Sequence, residues 1–238
     1  MSRILCIDTA TDICTVAIMN NGKIESLRES GNERSHAIKL AVYIDEILKE
    51  KNTTVDQLDA IAISRGPGSY TGLRIGVSTA KGLCYGSGIP LVSVSTLQSM
   101  CYGIPKQFII ENKLADFHFA PMLDARRMEV YTAVYNPDYT LKQDIKAEII
   151  DENSFINFLY EKPVIFFGEG AAKTKDILTH PNALFYPDFK HSSVNMGKLA
   201  AQKLSENKTE DVAYFEPFYL KDFITTTSKK NILFPGKK

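Results

Sequence analysis

Two successive stretches of this chain spell the same order of elements, three strand-like runs followed by helix, strand, helix, strand and helix, and few layered architectures accommodate that order twice. The first stretch opens with apolar runs at 4–8, 14–19 and 23–27, the last two joined by Asn20-Asn21-Gly22, a type I′ hairpin signal. The period then switches. Ala37, Leu40, Ala41, Ile44, Ile47 and Leu48 form a helical stripe over 35–50, which Ile38 and Val42 widen. Thr54 and Gln57 have capping-box spacing, 59–64 reads as a buried strand, and a helix over 72–86 stops at Gly86, Gly88 and Pro90. A strand at 91–95 and a helix capped by Ser95 follow. From 116 onward the order returns: strands at 117–124, 129–135 and 145–150, a helix at 154–160, a strand at 164–167, a helix at 171–178, a strand at 184–186 and a helix at 194–204.

No residue-level repeat accompanies this order, so the duplication is one of topology. It implies an α/β fold of two ribonuclease H-like lobes with mixed sheets, the actin, sugar-kinase and Hsp70 (ASKHA) architecture, in which nucleotide lies in the cleft between lobes. The expected division is a first lobe over 1–110, a second and more divergent lobe over 111–221, and a basic tail over 222–238 carrying Lys229, Lys230, Lys237 and Lys238. A chain of 238 residues is long enough for two small lobes sharing a cleft.

Between the strand at 59–64 and the helix at 72–86 lies Gly66-Pro67-Gly68-Ser69. Gly66 and Gly68 can take positive φ and allow close backbone approach, Pro67 stiffens the turn, and Ser69 or Thr71 can cap the helix. Such a turn is either a tight structural corner or an anion cradle of convergent N–H groups; the Gly-Lys-Ser/Thr ending of a P-loop is missing. On the helix, Gly72, Gly76, Thr79, Ala80 and Leu83 share one side, bordered by Gly82 and Gly86. An interior helical glycine costs about 1 kcal/mol relative to alanine, so this side is expected to meet a closely packed helix or backbone, within the chain or from a partner.

Lys plus Arg and Asp plus Glu both number 28, so no global charge recruits nucleic acid. Cys6, Cys14, Cys84 and Cys101 make no C-x-x-C pair and read as reduced thiols of a cytoplasmic protein. No apolar run approaches the ~20 residues of a membrane span, and the N-terminus reaches Asp8 too soon for a signal sequence.

Ile7-Asp-Thr-Ala-Thr11, Gly66-Pro-Gly-Ser-Tyr-Thr-Gly-Leu-Arg-Ile-Gly76 with Thr79-Ala-Lys-Gly82, Asp124-Ala-Arg126 with Glu129-Val-Tyr131, and Pro217-Phe-Tyr-Leu-Lys221 together resemble the TsaB (YeaZ) family. The likeness spans nearly the whole chain, is dense over 1–100 and loosens beyond about 140. It implies the bacterial pathway that places a threonylcarbamoyl group on the adenosine beside the tRNA anticodon. It also implies a TsaD-like partner, a TsaE-like ATPase and contact with tRNA only through the complex; alone, the wide apolar stripe of 35–50 with the glycine-rich side of 72–86 is expected to close a homodimer, since an exposed apolar patch rarely stays unpaired. In the family the helices corresponding to 35–50 and 72–86 pair with those of TsaD. That assigns His36, Leu40, Ile44, Gly72, Gly76, Thr79, Ala80 and Leu83 to a partner interface, which Gly76→Leu is expected to break.

The resemblance implies no catalytic residue and no metal. TsaD carries an H-x-x-x-H pair after the equivalent strand, whereas here Thr96 and Met100 stand at those positions. His36, His118, His180 and His191 are scattered. Kinases of this architecture place a glycine after the first-lobe Asp; here Thr9 and Ala10 follow Asp8, and Ala125 and Arg126 follow Asp124. The residues that could still meet a phosphate are Asp8, Thr9, Thr11, Gly66, Gly68, Ser69, Asp124, Gly168 and Gly170, which leaves room for weak ATP or ADP binding with no cofactor required. The alternative is a nucleotide-binding or ATP-hydrolysing ASKHA-fold enzyme acting in its own right. No G-x-S-x-G, H-E-x-x-H or Cys/His arrangement supports a hydrolase.

Overall fold

The computed structural model describes residues 2–30 and 36–221, with the side chains of residues 36 and 37 left aside; the expected basic tail over 222–238 lies outside the described residues. The first lobe comprises β1 (Arg3–Asp8), β2 (Thr15–Asn20), β3 (Lys23–Glu29), α1 (His36–Glu50), β4 (Ala60–Gly66), α2 (Tyr70–Ser87) and β5 (Leu91–Ser95). Then come α3 (Thr96–Cys101) and α4 (Lys106–Glu111), followed by β6 (His118–Asp124), β7 (Glu129–Tyr135), β8 (Leu141–Ile149), α5 (Ile156–Glu161), β9 (Val164–Phe167), β10 (Ala183–Tyr186) and α6 (Gly197–Ser205).

The strands form two sheets of five, ordered β3-β2-β1-β4-β5 and β8-β7-β6-β9-β10. In each, the first three strands are an antiparallel meander and the last two run parallel to the first. The mixed-sheet duplication expected from the element order is therefore the observed fold. The I′ hairpin forms at Asn21 (φ 50°) and Gly22 (φ 72°), and α2 ends at Gly88 (φ 76°), whose N–H donates to Cys84 O. Among the described residues no helix is long and apolar enough to cross a membrane.

Alternation along the strands gives each sheet two apolar faces. Leu5 and Ile7 of β1 pack with Leu40, Ile44 and Ile47 of α1 and Val77 and Ala80 of α2, while Ile4 and Cys6 face Met196, Leu199 and Ala200 at α6. In the second sheet Phe119 and Leu123 of β6 face Leu97, Met100 and Cys101 of α3, and Ala120 and Met122 face Phe155 and Leu159 at α5. Helix α3 thus covers the second half's sheet, and α6 covers the first half's. A cut between 110 and 111 separates the sheets but not the cores: α6 closes the first lobe, while α3 and α4 belong to the second. Each fully buried Leu, Ile or Phe in this exchange contributes about 1.5–3 kcal/mol, so neither lobe's core is complete without the other half of the chain.

The second lobe departs from expectation in three places. The helix expected over 171–178 is a single 3-10 turn, Ala172–Thr174, because Gly168 (φ 97°) and Gly170 hold the chain against the backbone of Met122 and Leu123. The helix expected over 194–204 is a 3-10 turn, Ser193–Met196, leading into α6. The third strand is longer than expected, starting at Leu141.

Candidate interlobe site and partner face

Asp8 and Asp124 occupy equivalent places, ending the first strand of each sheet, and both accept an N–H from the residue two further on: Ala10 N to Asp8 Oδ1 and Arg126 N to Asp124 Oδ1, each at 2.9 Å. These are the turns that face phosphate in nucleotide-using members of this architecture. Here both carboxylates have cationic partners from the chain itself. Asp8 is fully buried, accepts the Ser64 hydroxyl at 2.9 Å and faces His191, whose Nε2 lies 2.9 Å from Oδ2 without the alignment of a full hydrogen bond. Burial alone would raise the Asp8 pKa, but His191, the Ala10 N–H and the Ser64 hydroxyl together hold it below the ordinary value. Burial alone would lower His191, and the Asp8 carboxylate, aided by the charges of Glu169 and Glu29, raises it instead. Asp124 is exposed and is held by Lys173, whose ammonium also donates to the carbonyls of Arg127 (2.6 Å) and Glu129 (2.7 Å).

The glycine turn is closed from within. Ser69 N donates to Ala10 O at 2.6 Å, and the Ser69 side chain caps α2 by accepting from Gly72 N at 3.3 Å. Thr9 Oγ1 donates to Gly72 O at 2.8 Å. A Cβ at Gly68 would strike the backbone of Ala10, and one at Gly66 would come within 2.6 Å of Phe218 O. Gly170 N donates to Met122 O at 3.0 Å, and Thr11 Oγ1 accepts Ile13 N at 3.2 Å. The structure thus brings Asp8, Thr9, Gly66, Gly68 and Ser69 together, but as a joint between β1 and α2. Two of the N–H groups at this turn, those of Ser69 and Gly72, thus have intramolecular acceptors.

The expected partner face also needs correction. Leu40, Ile44 and Ala80 are buried in the first lobe's core, and Leu83 packs against it half-buried. Gly72 and Gly76 are buried against Thr9, where any Cβ would clash, and Thr79 directs its hydroxyl to Ile75 O at 2.8 Å. Apart from Thr79, whose bond stays within α2, these residues bind α1 and α2 to the sheet; the His36 side chain lies outside the described set. What α1 and α2 present outward is Ile38 (74 % exposed), Val42 (47 %) and Tyr85 (87 %), together with Gly82 and Gly86, which have no heavy atom within 4 Å of where a Cβ would stand. Such an apolar outer face is the kind of surface that pairs.

His191 and Lys173 are the site residues that sequence reasoning missed. His191 lies in a loop and Lys173 in the short 3-10 turn, both far along the chain from the aspartates they meet, and no spacing links them. Thr96 and Met100 are both fully buried in α3, and among the described residues no group of three or more His, Cys, Asp or Glu side chains is arranged to hold a metal ion.

The family model described as TsaD, tRNA N6-adenosine threonylcarbamoyltransferase, matches residues 30–229. The protein is 32 % identical over 231 residues, covering 92 % of this chain and 95 % of its relative, to the tRNA threonylcarbamoyladenosine biosynthesis protein TsaB of Escherichia coli (strain K12). The chain belongs to the TsaB family. A second relative with the same description, from Haemophilus influenzae (strain ATCC 51907 / DSM 11121 / KW20 / Rd), is 28 % identical over 240 residues, 93 % of this chain and 94 % of that one. The solved structure of YeaZ from Pseudomonas aeruginosa superposes with a TM-score of 0.75 at 23 % identity, covering 92 % of this chain and all of that one, and so shares the fold.

Proposed function

We propose that this chain is a non-catalytic subunit of tRNA threonylcarbamoyladenosine synthesis, docking a TsaD-like transferase through the outer face of α1 and α2. The observation that carries this reading is the engagement of both cleft carboxylates and of the glycine turn by the chain's own groups, Asp8 by His191 and Ser64, Asp124 by Lys173, and Ser69 N by Ala10 O. An enzyme of this architecture needs those positions for nucleotide and its cation. The exposed Ile38, Val42 and Tyr85 supply the complementary half of the argument, an apolar surface for a partner. By binding the active arrangement of the transferase better than the idle one, the chain raises the competent fraction without touching substrate. A TsaE-like ATPase joins the pair, tRNA is met within the assembly in the cytoplasm, and nucleotide binds this chain only weakly. In isolation the same face closes a homodimer.

The test is threonylcarbamoyl transfer to unmodified tRNA by the TsaD-like partner with and without this chain, and by this chain alone. Activity is expected only from the combination, and Ile38→Glu with Tyr85→Glu removes both the stimulation and the homodimer while the fold still melts cooperatively. ATP hydrolysis by the isolated chain is expected at background and unchanged in an Asp8→Asn, Asp124→Asn variant. Transfer or hydrolysis by the isolated chain that the variant abolishes would return the cleft to an enzymatic role.

A further inference from the structure

Of the four strands that end the two sheets, β8 is the longest, running from Leu141 to Ile149, and among the described residues no strand pairs with its outer side. An open edge of this length is a template for another strand. Its ladder to β7 is regular over 146–149, opposite 129–132, and register shifts interrupt it between 146 and 141. One bond fixes which main-chain groups are free. Ile150 N donates to Met128 O at 2.9 Å, so Ile150, Glu148 and Lys146 turn their N–H and C=O groups toward β7, and Ala147 and Ile149 turn theirs outward.

The side chains of this run complement a second copy of themselves. Ile149 is an exposed apolar residue at the end of the strand. Lys146 and Glu148 share one face of the strand, Nζ 2.9 Å from Oε2, and that oxygen is sealed from solvent without accepting a hydrogen bond. Under a two-fold axis at Ala147, an antiparallel second copy sets Ala147 opposite Ala147, Lys146 opposite Glu148 and Ile145 opposite Ile149. The outward groups of the two Ala147 residues then exchange hydrogen bonds, and the opposite charges fall in the intervening pairs, where side chains approach most closely. An axis at Lys146 or Glu148 would oppose like charges and bring inward-turned main-chain groups to the edge. An axis at Ile149 would run the pairing off the end of the strand, and the register shifts before Lys146 stop a slip the other way.

We infer that β8 is a self-association edge, on which two copies of this chain pair β8 with β8 about a two-fold axis at Ala147 and join their second sheets into one. The complementarity of Lys146 and Glu148 in the register that the outward groups dictate makes a second copy the occupant. The edge belongs to the second sheet, whereas α1 and α2 pack on the first, so this contact is separate from the α1–α2 face and stands whether or not that face docks a transferase. Residues 145–149 fall well short of the about 20–30 residues a side of a standard interface, so the pairing is weak and shows at high concentration. It brings together α1–α2 homodimers of the isolated chain, or two copies that each carry a transferase.

The test is sedimentation equilibrium of the full chain carrying Ile38→Glu and Tyr85→Glu, which removes the α1–α2 homodimer and leaves β8 untouched. This parent is expected to show a weak monomer–dimer equilibrium. Lys146→Glu sets two acids opposite each other and Glu148→Lys two bases, so each is expected to weaken the dimer at least about tenfold. Mixing these two variants restores opposite charges in both pairs and is expected to give a heterodimer at least as tight as the parent's dimer. Ala147→Pro removes an N–H that points away from β7, so it should abolish the dimer while the chain still melts cooperatively. A parent that stays monomeric at every concentration overturns the inference, as does a dimer indifferent to all three substitutions or a mixture that does not pair. A monomeric parent whose β8 variants no longer co-elute with the TsaD-like protein would hand the edge to the transferase and overturn self-pairing, while leaving the proposed function standing.

Discussion

The His191 imidazole lies 2.9 Å from the Asp8 carboxylate, with both side chains almost wholly sealed from solvent. It fastens the segment preceding α6 to the end of β1, beside Ser193 N, which donates to Thr15 Oγ1 at 2.7 Å. Removing the imidazole leaves a buried charge without its counter-ion, so His191→Asn is expected to destabilise the fold by about 3–5 kcal/mol.

The pH dependence of that loss has a definite sign. His191 is raised above its ordinary 6.5, so its contribution is fully present below 6.5 and fades as pH rises through the higher folded value. Asp8 is lowered below 3.8, so its contribution is present above 3.8 and is lost as pH falls through the folded value. The stability difference between wild type and His191→Asn in urea melts should therefore be greatest between 3.8 and 6.5 and shrink on either side. His118, lowered chiefly by its own burial, contributes with the opposite sign around 6.5, but it is common to both proteins and cancels in the difference. A difference that grows steadily above pH 7 would refute the pairing.

Gly76 and Gly82 lie on the same helix and should respond oppositely to the same change. A Cβ at Gly76 runs into Thr9 and comes within 3.1 Å of Ile63 Cδ1, whereas at Gly82 nothing stands within 4 Å. Gly76→Leu is accordingly expected to overpack the β1–α2 joint and cost about 1–3 kcal/mol or more, which makes it a stability variant and corrects its expected use as an interface variant. Gly82→Leu gains up to about 1 kcal/mol of helix propensity and should fold at least as well as wild type. It should nevertheless lose the homodimer and the TsaD-like partner, because the new side chain fills the outer face. Co-elution of Gly82→Leu with the partner would remove that face from consideration.

The architecture was legible in the sequence because strand period, helix period and turn chemistry agree: the same order occurs twice, Asn21-Gly22 turns as a hairpin, and Gly88 ends α2. Which side of α2 meets the sheet was not legible. A helical wheel places Gly72 and Gly76 on one side but cannot distinguish a neighbouring strand from a partner; both glycines serve the close approach of Thr9, while Gly82 and Gly86 are the open ones. The exchange of α3 and α6 between lobes was hidden for a similar reason, since amphipathic periodicity shows that a helix needs an apolar surface without saying whose. Asp8 could be singled out by its place after a buried strand. Its partner His191 could not, because a buried counter-ion supplied by a loop leaves no periodicity or motif behind.

Lys173 offers a separate test of how the second cleft turn is held. Lys173→Met keeps most of the buried stem and removes the ammonium, freeing Asp124 and the carbonyls of Arg127 and Glu129. Burial by itself raises the Asp124 pKa, and the Lys173 contact and the Arg126 N–H hold it below 3.8, so the variant's Asp124 should titrate higher than wild type by carboxyl NMR. Losing these bonds should cost about 1–3 kcal/mol, and the Ala125 and Glu129 amides, which close the turn at 3.1 Å each, should exchange faster with solvent. Unaltered exchange at both amides would mean that the turn holds its positive-φ residues, Arg126 and Arg127, without the lysine.

The C-terminal segment ties these two regions together. Lys81 Nζ donates to Ala213 O and Phe215 O at 3.1 and 2.9 Å, Phe218 joins Arg65, Tyr219 packs on Tyr70 at 4.8 Å, and Lys221 reaches Glu129 of the second sheet. The segment thus runs along α2 in the first lobe and ends on the turn of the second, so its attachment at Tyr219 should be felt in both. Tyr219→Ala removes an aromatic pair worth about 0.5–1.5 kcal/mol and should lower the melting temperature by a few degrees at most, at about 2–4 °C per kcal/mol for a chain of this size. The more telling readout is local. Amide exchange should quicken at Phe218, which bonds Arg65, and at Glu129 across the cleft, while the α1 amides stay protected. Protection lost at Phe218 alone would show that the segment does not couple the lobes, and that the cleft mouth is held by Lys173 without it.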